Sequence, residues 1–287
     1  MHHRGVIGLL DIGGTKLAAA RSAEPGRLQN LQRTPTPADP AGALASLLDR
    51  AADGAELDAI AVSLPGPFDR AGAALIDPPG MPERWHGLRV GEDLGERYGC
   101  PVVVENDANA AALAEATWGA GRDAQTVVYF TVSTGVGTGV VRDGAVWHGR
   151  HDTEGGHQVV WPRWAGGPPC HCGGAGCLEA LASGLAIERR FGVRGEHLED
   201  PEAWADIGRW LGLGAVNAIA LVDPDVVLFG GGVTAAWDRF APSLQRTIAE
   251  HLHLQPVPRV ELGSLGEERN LLGALALGAA ALAAPVR

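Results

Sequence analysis

Lysine is almost missing from this chain. Lys16 is the only one in 287 residues, so every other formal cation is an arginine. The scarcity follows from a composition heavy in Arg, Ala and Gly, and it leaves Lys16 conspicuous inside a Gly-Gly-Thr turn. The net charge of −11 argues against a general nucleic-acid role, because duplex binding relies on neutralising phosphates with Lys and Arg. No apolar run reaches the ~18–20 residues needed to span a bilayer, so no membrane role is expected. The N-terminal Met-His-His-Arg-Gly lacks the charged-then-apolar layout of a secretory signal. Cysteine is also sparse. The chain has four, with no regular disulfide framework, which favours a reducing interior and a cytoplasmic location.

Three of those four cysteines fall within eight residues. The stretch reads Glu154-Gly-Gly-His157, then twelve residues, then Cys170-His-Cys172-Gly-Gly-Ala-Gly-Cys177-Leu-Glu179. Three thiolates and one imidazole at this spacing can close a tetrahedral Zn²⁺ site. A loop of reduced thiols and a redox pair are the competing readings, and spacing leaves His157 and His171 both open as the fourth ligand. With all four positions filled by protein there is no place for a catalytic water. Such a site is structural. It would fix Glu154, Glu179 and an imidazole relative to one another, an arrangement suited to binding a polyhydroxylated ligand. Cys100, alone before Pro101, is expected to be a buried thiol.

A length of 287 residues suggests two domains, and two segments look like copies of one unit. Val6–Ala20 is an apolar strand, a Gly13-Gly14-Thr15 turn and a second apolar strand; Val127–Val141 repeats the plan around Ser133-Thr134-Gly135-Val-Gly137-Thr138-Gly139. Both read as β-hairpins whose glycine tips must come close to something, since glycine lacks the Cβ that would block approach. Leu57–Leu64 reads as a strand ending at Pro65-Gly66-Pro67. Val102–Glu105 is a short strand feeding Asn106-Asp107-Ala108-Asn109 and a helix over Ala110–Trp118. Val226–Val233 runs a strand into Gly230-Gly231-Gly232, with helix resuming near Trp237, and Asn270–Ala284 is an Ala/Leu helix. Prolines make Pro35–Pro40 and Pro78–Pro82 loops.

Backbone N–H groups in glycine turns can cradle phosphate oxygens, and three such turns, each after an apolar strand, point to a nucleotide cleft. The pattern is neither the P-loop nor the dinucleotide fingerprint, since a strand follows the first turn. Asp11 is placed to hold Mg²⁺ through water or, more simply, to stabilise its turn.

Together these residues resemble the ROK family of sugar kinases, within the actin-like/hexokinase superfamily. The resemblance covers almost the whole chain through Asp11-Ile-Gly-Gly-Thr-Lys16, Leu64-Pro-Gly-Pro67, Glu105-Asn-Asp-Ala-Asn109, Ser133–Gly139, Glu154-Gly-Gly-His157, Cys170–Glu179 and Phe229-Gly-Gly-Gly232. It implies two RNase H-like α/β domains around an interdomain cleft, with a structural zinc site. The smaller comprises residues 1–115 plus 268–287 and carries the first phosphate hairpin and the catalytic aspartate. The larger, 116–267, carries the second hairpin, the zinc motif and the adenosine loop.

By the same resemblance Asp107 is the general base, and Gly66, Asn106, Asp107, Glu154, His157 and Glu179 hold the sugar. Asp11, Gly13, Gly14, Thr15, Lys16, Thr134, Gly135, Gly137, Gly231 and Gly232 line the ATP site. His157, Cys170, Cys172 and Cys177 bind zinc, with the second nitrogen of His157 toward the sugar. The expected activity is transfer of the γ-phosphoryl group from Mg-ATP to a hexose hydroxyl, glucose first and an N-acetylhexosamine or fructose next, by a homodimer. A sugar-responsive transcriptional regulator is the reading of another class. It needs an N-terminal helix-turn-helix, and fewer than ten residues precede the first hairpin. Departures from the family pattern occur at Thr153 and Gly155, and at Gly80, which replaces the usual loop asparagine.

Overall fold

The computed structural model describes residues 5–69, 73–78 and 80–283. Readings that fall on residues 1–4, on Pro79 or on Ala284 lie outside the described residues. The chain forms two compact units, Met1–Trp118 with Glu267–Arg287, and Gly119–Gly266.

The first unit opens with β1 (Ile7–Ile12), β2 (Lys16–Glu24) and β3 (Arg27–Pro35), followed by α1 (Ala43–Ala52) and β4 (Ala59–Leu64). A two-strand ribbon, β5 (Phe68–Asp69) and β6 (Ala74–Leu75), leads to α2 (Val90–Tyr98), β7 (Val102–Asn106) and α3 (Asp107–Trp118). The sheet order is β3-β2-β1-β4-β7. β1 pairs antiparallel with β2 and parallel with β4, which in turn is parallel to β7. Every residue of β4 is buried and β3 is mostly solvated, as expected of a central strand covered on both faces and an edge strand.

The second unit repeats this topology. β8 (Thr126–Val132), β9 (Val136–Arg142) and β10 (Ala145–Val146) precede α4 (Glu179–Ala182), α5 (Gly184–Phe191) and α6 (Pro201–Val222); β11 (Val226–Gly230), α7 (Trp237–His251) and β12 (Arg259–Leu262) follow. The order β10-β9-β8-β11-β12 is antiparallel through the first three strands and parallel thereafter. The chain then returns to the first unit as α8 (Arg269–Ala283).

In the first core, Leu10, Ile12, Ile60 and Val62 of the sheet meet Leu44, Leu47 and Leu48 of α1. In the second, Phe130 stacks on Phe229 with ring centroids 5.2 Å apart, under Trp204, Ile207 and Leu211 of α6 and Phe240 and Leu244 of α7. α3 is buried from Ala108 to Glu115 because α8 lies close enough for Gly273 to approach the carbonyl of Ala110. α3 begins at Asp107, three residues before the expected Ala110, and it runs unbroken to Trp118. The two compact units divide after Trp118 and again before Glu267. Cys100 is half-buried, not buried.

Among the described residues α6 is the one helix long and apolar enough, by length and composition, to cross a membrane. Its Ile207, Leu211, Ala215 and Ile219 nevertheless belong to the core. It starts on a side-chain cap, Asp200 accepting from the Glu202 N–H at 2.8 Å, with Pro201 at the first helical position.

Asp206 ties α6 to α5. Its carboxylate accepts from Arg190, from Arg209 at 2.9 Å and from the Trp210 indole at 3.0 Å. Desolvation works to raise its pKa and is outweighed by these partners, Arg190 first, so the pKa is lowered. A depressed carboxyl pKa contributes stability that is present above the unfolded-state value and lost as pH falls through the folded one. Asp206→Asn is expected to lower urea stability at pH 7 by about 1–3 kcal/mol, with the gap from wild type closing as pH drops below the ordinary carboxylate range.

Candidate active site

In the first unit the parallel register aligns Asp11 with Ser63, Ser63 with Glu105, and Leu64 with Asn106. The carboxyl ends of β1, β4 and β7 therefore reach one edge together, where open α/β sheets bind ligands. That edge carries the Gly13–Thr15 turn, the Pro65–Pro67 turn and the Asn106–Asp107 elbow. At the elbow, Asn106 Oδ1 accepts the N–H groups of Ala108 at 2.9 Å and Asn109 at 3.3 Å, so Asn106 caps α3. With its oxygen so engaged, its amide nitrogen lies on the side of Gly66. Buried Glu105 braces the elbow from below, accepting from the Asn106 N–H at 2.9 Å and the Asn109 amide at 3.0 Å. Asp107 is the first helical residue, where the helix dipole favours an ionised carboxylate.

The first hairpin turn is closed by the Gly13 N–H donating to the Lys16 carbonyl at 3.0 Å. Thr15 and Lys16 are exposed. A side chain at Gly14 would come within 2.5 Å of the Gly80 carbonyl oxygen, so the chain's own loop demands this glycine. Asp11 accepts from the Asn270 amide at 3.1 Å. Desolvation raises its pKa, opposed by hydrogen bonds from Asn270 and Ser63 and by the charges of Lys16 and Arg269. Lys16 pairs with Glu267 at 3.3 Å.

In the second unit β8 and β11 end side by side at Val132 and Gly230. The Ser133 N–H donates to the Gly135 carbonyl at 2.9 Å, while Gly184 and Leu185 at the start of α5 donate to the carbonyls of Ser133 and Thr134 at 2.7 and 3.3 Å. Gly137 faces Thr131 across the hairpin, and the Gly231–Gly232 turn packs beside Val132 and Ser133.

β9 then organises the loop that follows it. The Thr138 hydroxyl accepts the Gly155 N–H at 2.9 Å, and the Thr153 hydroxyl donates to the Thr138 carbonyl at 2.9 Å. These bonds bracket Glu154. Gly156 lies so close to β9 that an added Cβ would sit 1.8 Å from the Val136 oxygen. Glu154 stays open to solvent. Its pKa is nonetheless raised, chiefly by desolvation, with His157 opposing and Asp152 and Glu179 adding to the rise. The Glu179 side chain, 12% exposed, accepts the Val136 N–H at 2.9 Å and faces His171 Nδ1 at 2.8 Å.

The ligand atoms of His157, Cys170, Cys172 and Cys177 all lie within 4.8 Å of one another. Cys170 Sγ is 3.6 Å from His157 Nδ1, and Cys172 Sγ is 3.7 Å from Cys177 Sγ. A zinc tetrahedron with the usual bond lengths has S···N edges of about 3.6 Å and S···S edges of about 3.8 Å. The donor set and its dimensions fit a zinc ion held through Nδ1 of His157, which leaves Nε2–H as an outward donor.

The profile of the ROK family matches residues 7–281. The chain belongs to the ROK family. Glucokinase of Streptomyces coelicolor is 30% identical over 305 residues, covering 92% of this chain and 95% of its own. A ROK hexokinase from Thermus thermophilus superposes with a TM-score of 0.83 at 36% identity, over 96% of this chain and 98% of that one. A ROK glucokinase from Streptomyces griseus, solved with glucose and AMPPNP, gives 0.81 at 29% identity, over 96% and 99%. This member of the ROK family is an ATP-dependent sugar kinase.

For this ROK kinase, the structure gathers Asp11, Gly13, Gly14, Thr15, Lys16, Gly66, Asn106 and Asp107 at the sheet edge of the first unit. Thr134, Gly135, Gly137, Glu154, His157, Glu179, Gly231 and Gly232 belong to the second. Sequence reading missed the Thr138–Thr153 staple and the capping role of Asn106. It also left His171 as a rival zinc ligand; the residue faces Glu179 at 2.8 Å and lies outside the His157, Cys170, Cys172 and Cys177 cluster. The only signal for the last was the Cys-His-Cys string itself. Gly156→Ala is expected to push the Glu154–His157 loop off β9. Thermal unfolding should show a loss of about 1–3 kcal/mol, and displacement of the loop should cost about 10²-fold in kcat/KM for the sugar.

Proposed function

We propose that this kinase transfers the γ-phosphoryl group of ATP to the 6-hydroxyl of a hexose, with glucose the preferred acceptor. The observation that carries this reading is the elbow at Asn106–Asp107: Asn106 Oδ1 takes the N–H groups of Ala108 and Asn109, Asp107 Oδ1 shares that of Ala108 at 2.8 Å, and the Asp107 carboxylate is thereby held at the carboxyl end of β7. Asp107 is the base. The sugar hydroxyl oxygen attacks the γ-phosphorus as the bond to the β,γ-bridging oxygen breaks, the hydroxyl proton passes to the Asp107 carboxylate, and ADP leaves. An ionised Asp is a weak base, which suffices because the transition state is loose and the proton leaves late.

The Asn106 amide and the peptide at Gly66 supply polar contacts from the first unit. Glu154 and Glu179 accept sugar hydroxyls in the second, and His157 Nε2–H donates to one. Splitting the donor and acceptor roles in this way suits a polyol, whose hydroxyls both give and take hydrogen bonds. Phosphates are held by the N–H groups of both hairpins and of the Gly231–Gly232 turn, and by Lys16 once it exchanges Glu267 for phosphate oxygen. Mg²⁺ held near Asp11 would neutralise charge on the phosphates. A structural zinc ion on His157, Cys170, Cys172 and Cys177 would fix the imidazole and its tautomer. The enzyme acts as a cytoplasmic homodimer, where ATP is abundant and thiols stay reduced.

ADP release with Mg-ATP against glucose, mannose, fructose, N-acetylglucosamine and N-acetylmannosamine tests the reading. Glucose should give the highest kcat/KM, and Asp107→Asn should lower kcat by ~10²–10⁴-fold with sugar KM little changed. Highest activity on an N-acetylhexosamine would move the acceptor assignment. Absence of turnover on every sugar would overturn the reading.

A further inference from the structure

Glu179 has both carboxylate oxygens engaged. Oε2 takes the Val136 N–H at 2.9 Å, and Oε1 faces Nδ1 of His171 at 2.8 Å. A carboxylate can only accept here, so Nδ1 of His171 is the donor. The His171 ring also meets that of His157 edge-on, with centroids 5.3 Å apart and planes at 73°. A nitrogen of each ring and an oxygen of Glu179 lie within 4.8 Å of one another.

We infer that His171 is a positioning residue for sugar recognition, holding the Glu179 carboxylate at a fixed rotation through Oε1. The inference rests on the proposal that Glu179 binds a sugar hydroxyl. Each carboxylate oxygen keeps a second lone-pair direction after its protein bond is made. With Val136 and His171 in place, those directions are set before the sugar arrives. Without His171, Oε1 loses this donor, and the sugar must itself order the carboxylate on binding. The pair is half-open, His171 being 55% exposed, so the effect is one of preorganisation and not of fold stability.

The test is steady-state kinetics on the best sugar with wild type, His171→Ala, His171→Asn and Glu179→Gln, alongside zinc content of each protein. His171→Ala should raise sugar KM about 5–10-fold, with kcat and KM for ATP within about twofold and zinc unchanged. His171→Asn, which keeps a donor at the δ position, should restore sugar KM to within about twofold of wild type. Two results would overturn the inference: an unchanged sugar KM in His171→Ala while Glu179→Gln raises it, or loss of zinc together with all kinetic parameters. If Glu179→Gln leaves sugar KM unchanged, the sugar role of Glu179 fails first, and the role of His171 falls with it.

Discussion

Two residues at the start of β9, Val136 and Thr138, hold together what the second unit presents at its sheet edge. The Val136 N–H fixes Glu179, the Val136 carbonyl leaves room only for glycine at 156, and the Thr138 hydroxyl grips the backbone at Gly155. The hairpin beside Gly135, the loop bearing Glu154 and His157, and the helix start at Glu179 are therefore one rigid piece. A piece held in this way can present ligand-contacting groups without spending binding energy on ordering loops, and proximity of this kind supplies much of what phosphoryl transfer requires.

The first unit reaches the same end with different parts. Strand register alone lines up Asp11, Ser63 and Glu105. Glu105 braces the elbow and Asn106 caps the helix, so the rotation of the Asp107 backbone is set by its neighbours. Both units contain carboxyls that the surrounding protein makes less acidic, Asp11 and Glu154, each chiefly through desolvation. A carboxylate in such surroundings gains most from a cation or from hydrogen-bond donors, and Mg²⁺ and sugar hydroxyls are ligands of those two kinds.

The motifs were legible where chemistry is local in sequence. A strand that runs into glycine and an Asn-Asp pair ahead of an alanine helix stand where the sequence puts them, and the three cysteines in eight residues come together with His157. Distant partners left no such trace: Asp11 with Asn270 and Lys16 with Glu267 are separated by 259 and 251 residues. α6 was also hidden, since Gly208, Gly212 and Gly214 interrupt its apolar pattern and only packing against α7 and Leu178 accounts for them. Glycine proved an ambiguous signal. Gly14 and Gly156 answer to the chain's own carbonyls, so a glycine-rich tip does not by itself mark a phosphate contact. The departures from the family pattern at Thr153 and Gly155 turned out to be paired with Thr138 across one staple.

On the proposed reading, a zinc ion on His157, Cys170, Cys172 and Cys177 would lock the loop bearing His157 to the segment that leads into Glu179. Calorimetric titration of glucose and of Mg-AMPPNP into the protein, with metal content measured before and after stripping by a strong chelator, tests it most directly. One zinc per chain is expected as purified, with loss of glucose binding on stripping, nucleotide binding retained, and recovery on adding zinc. Full glucose affinity in a protein shown to contain no metal would contradict it.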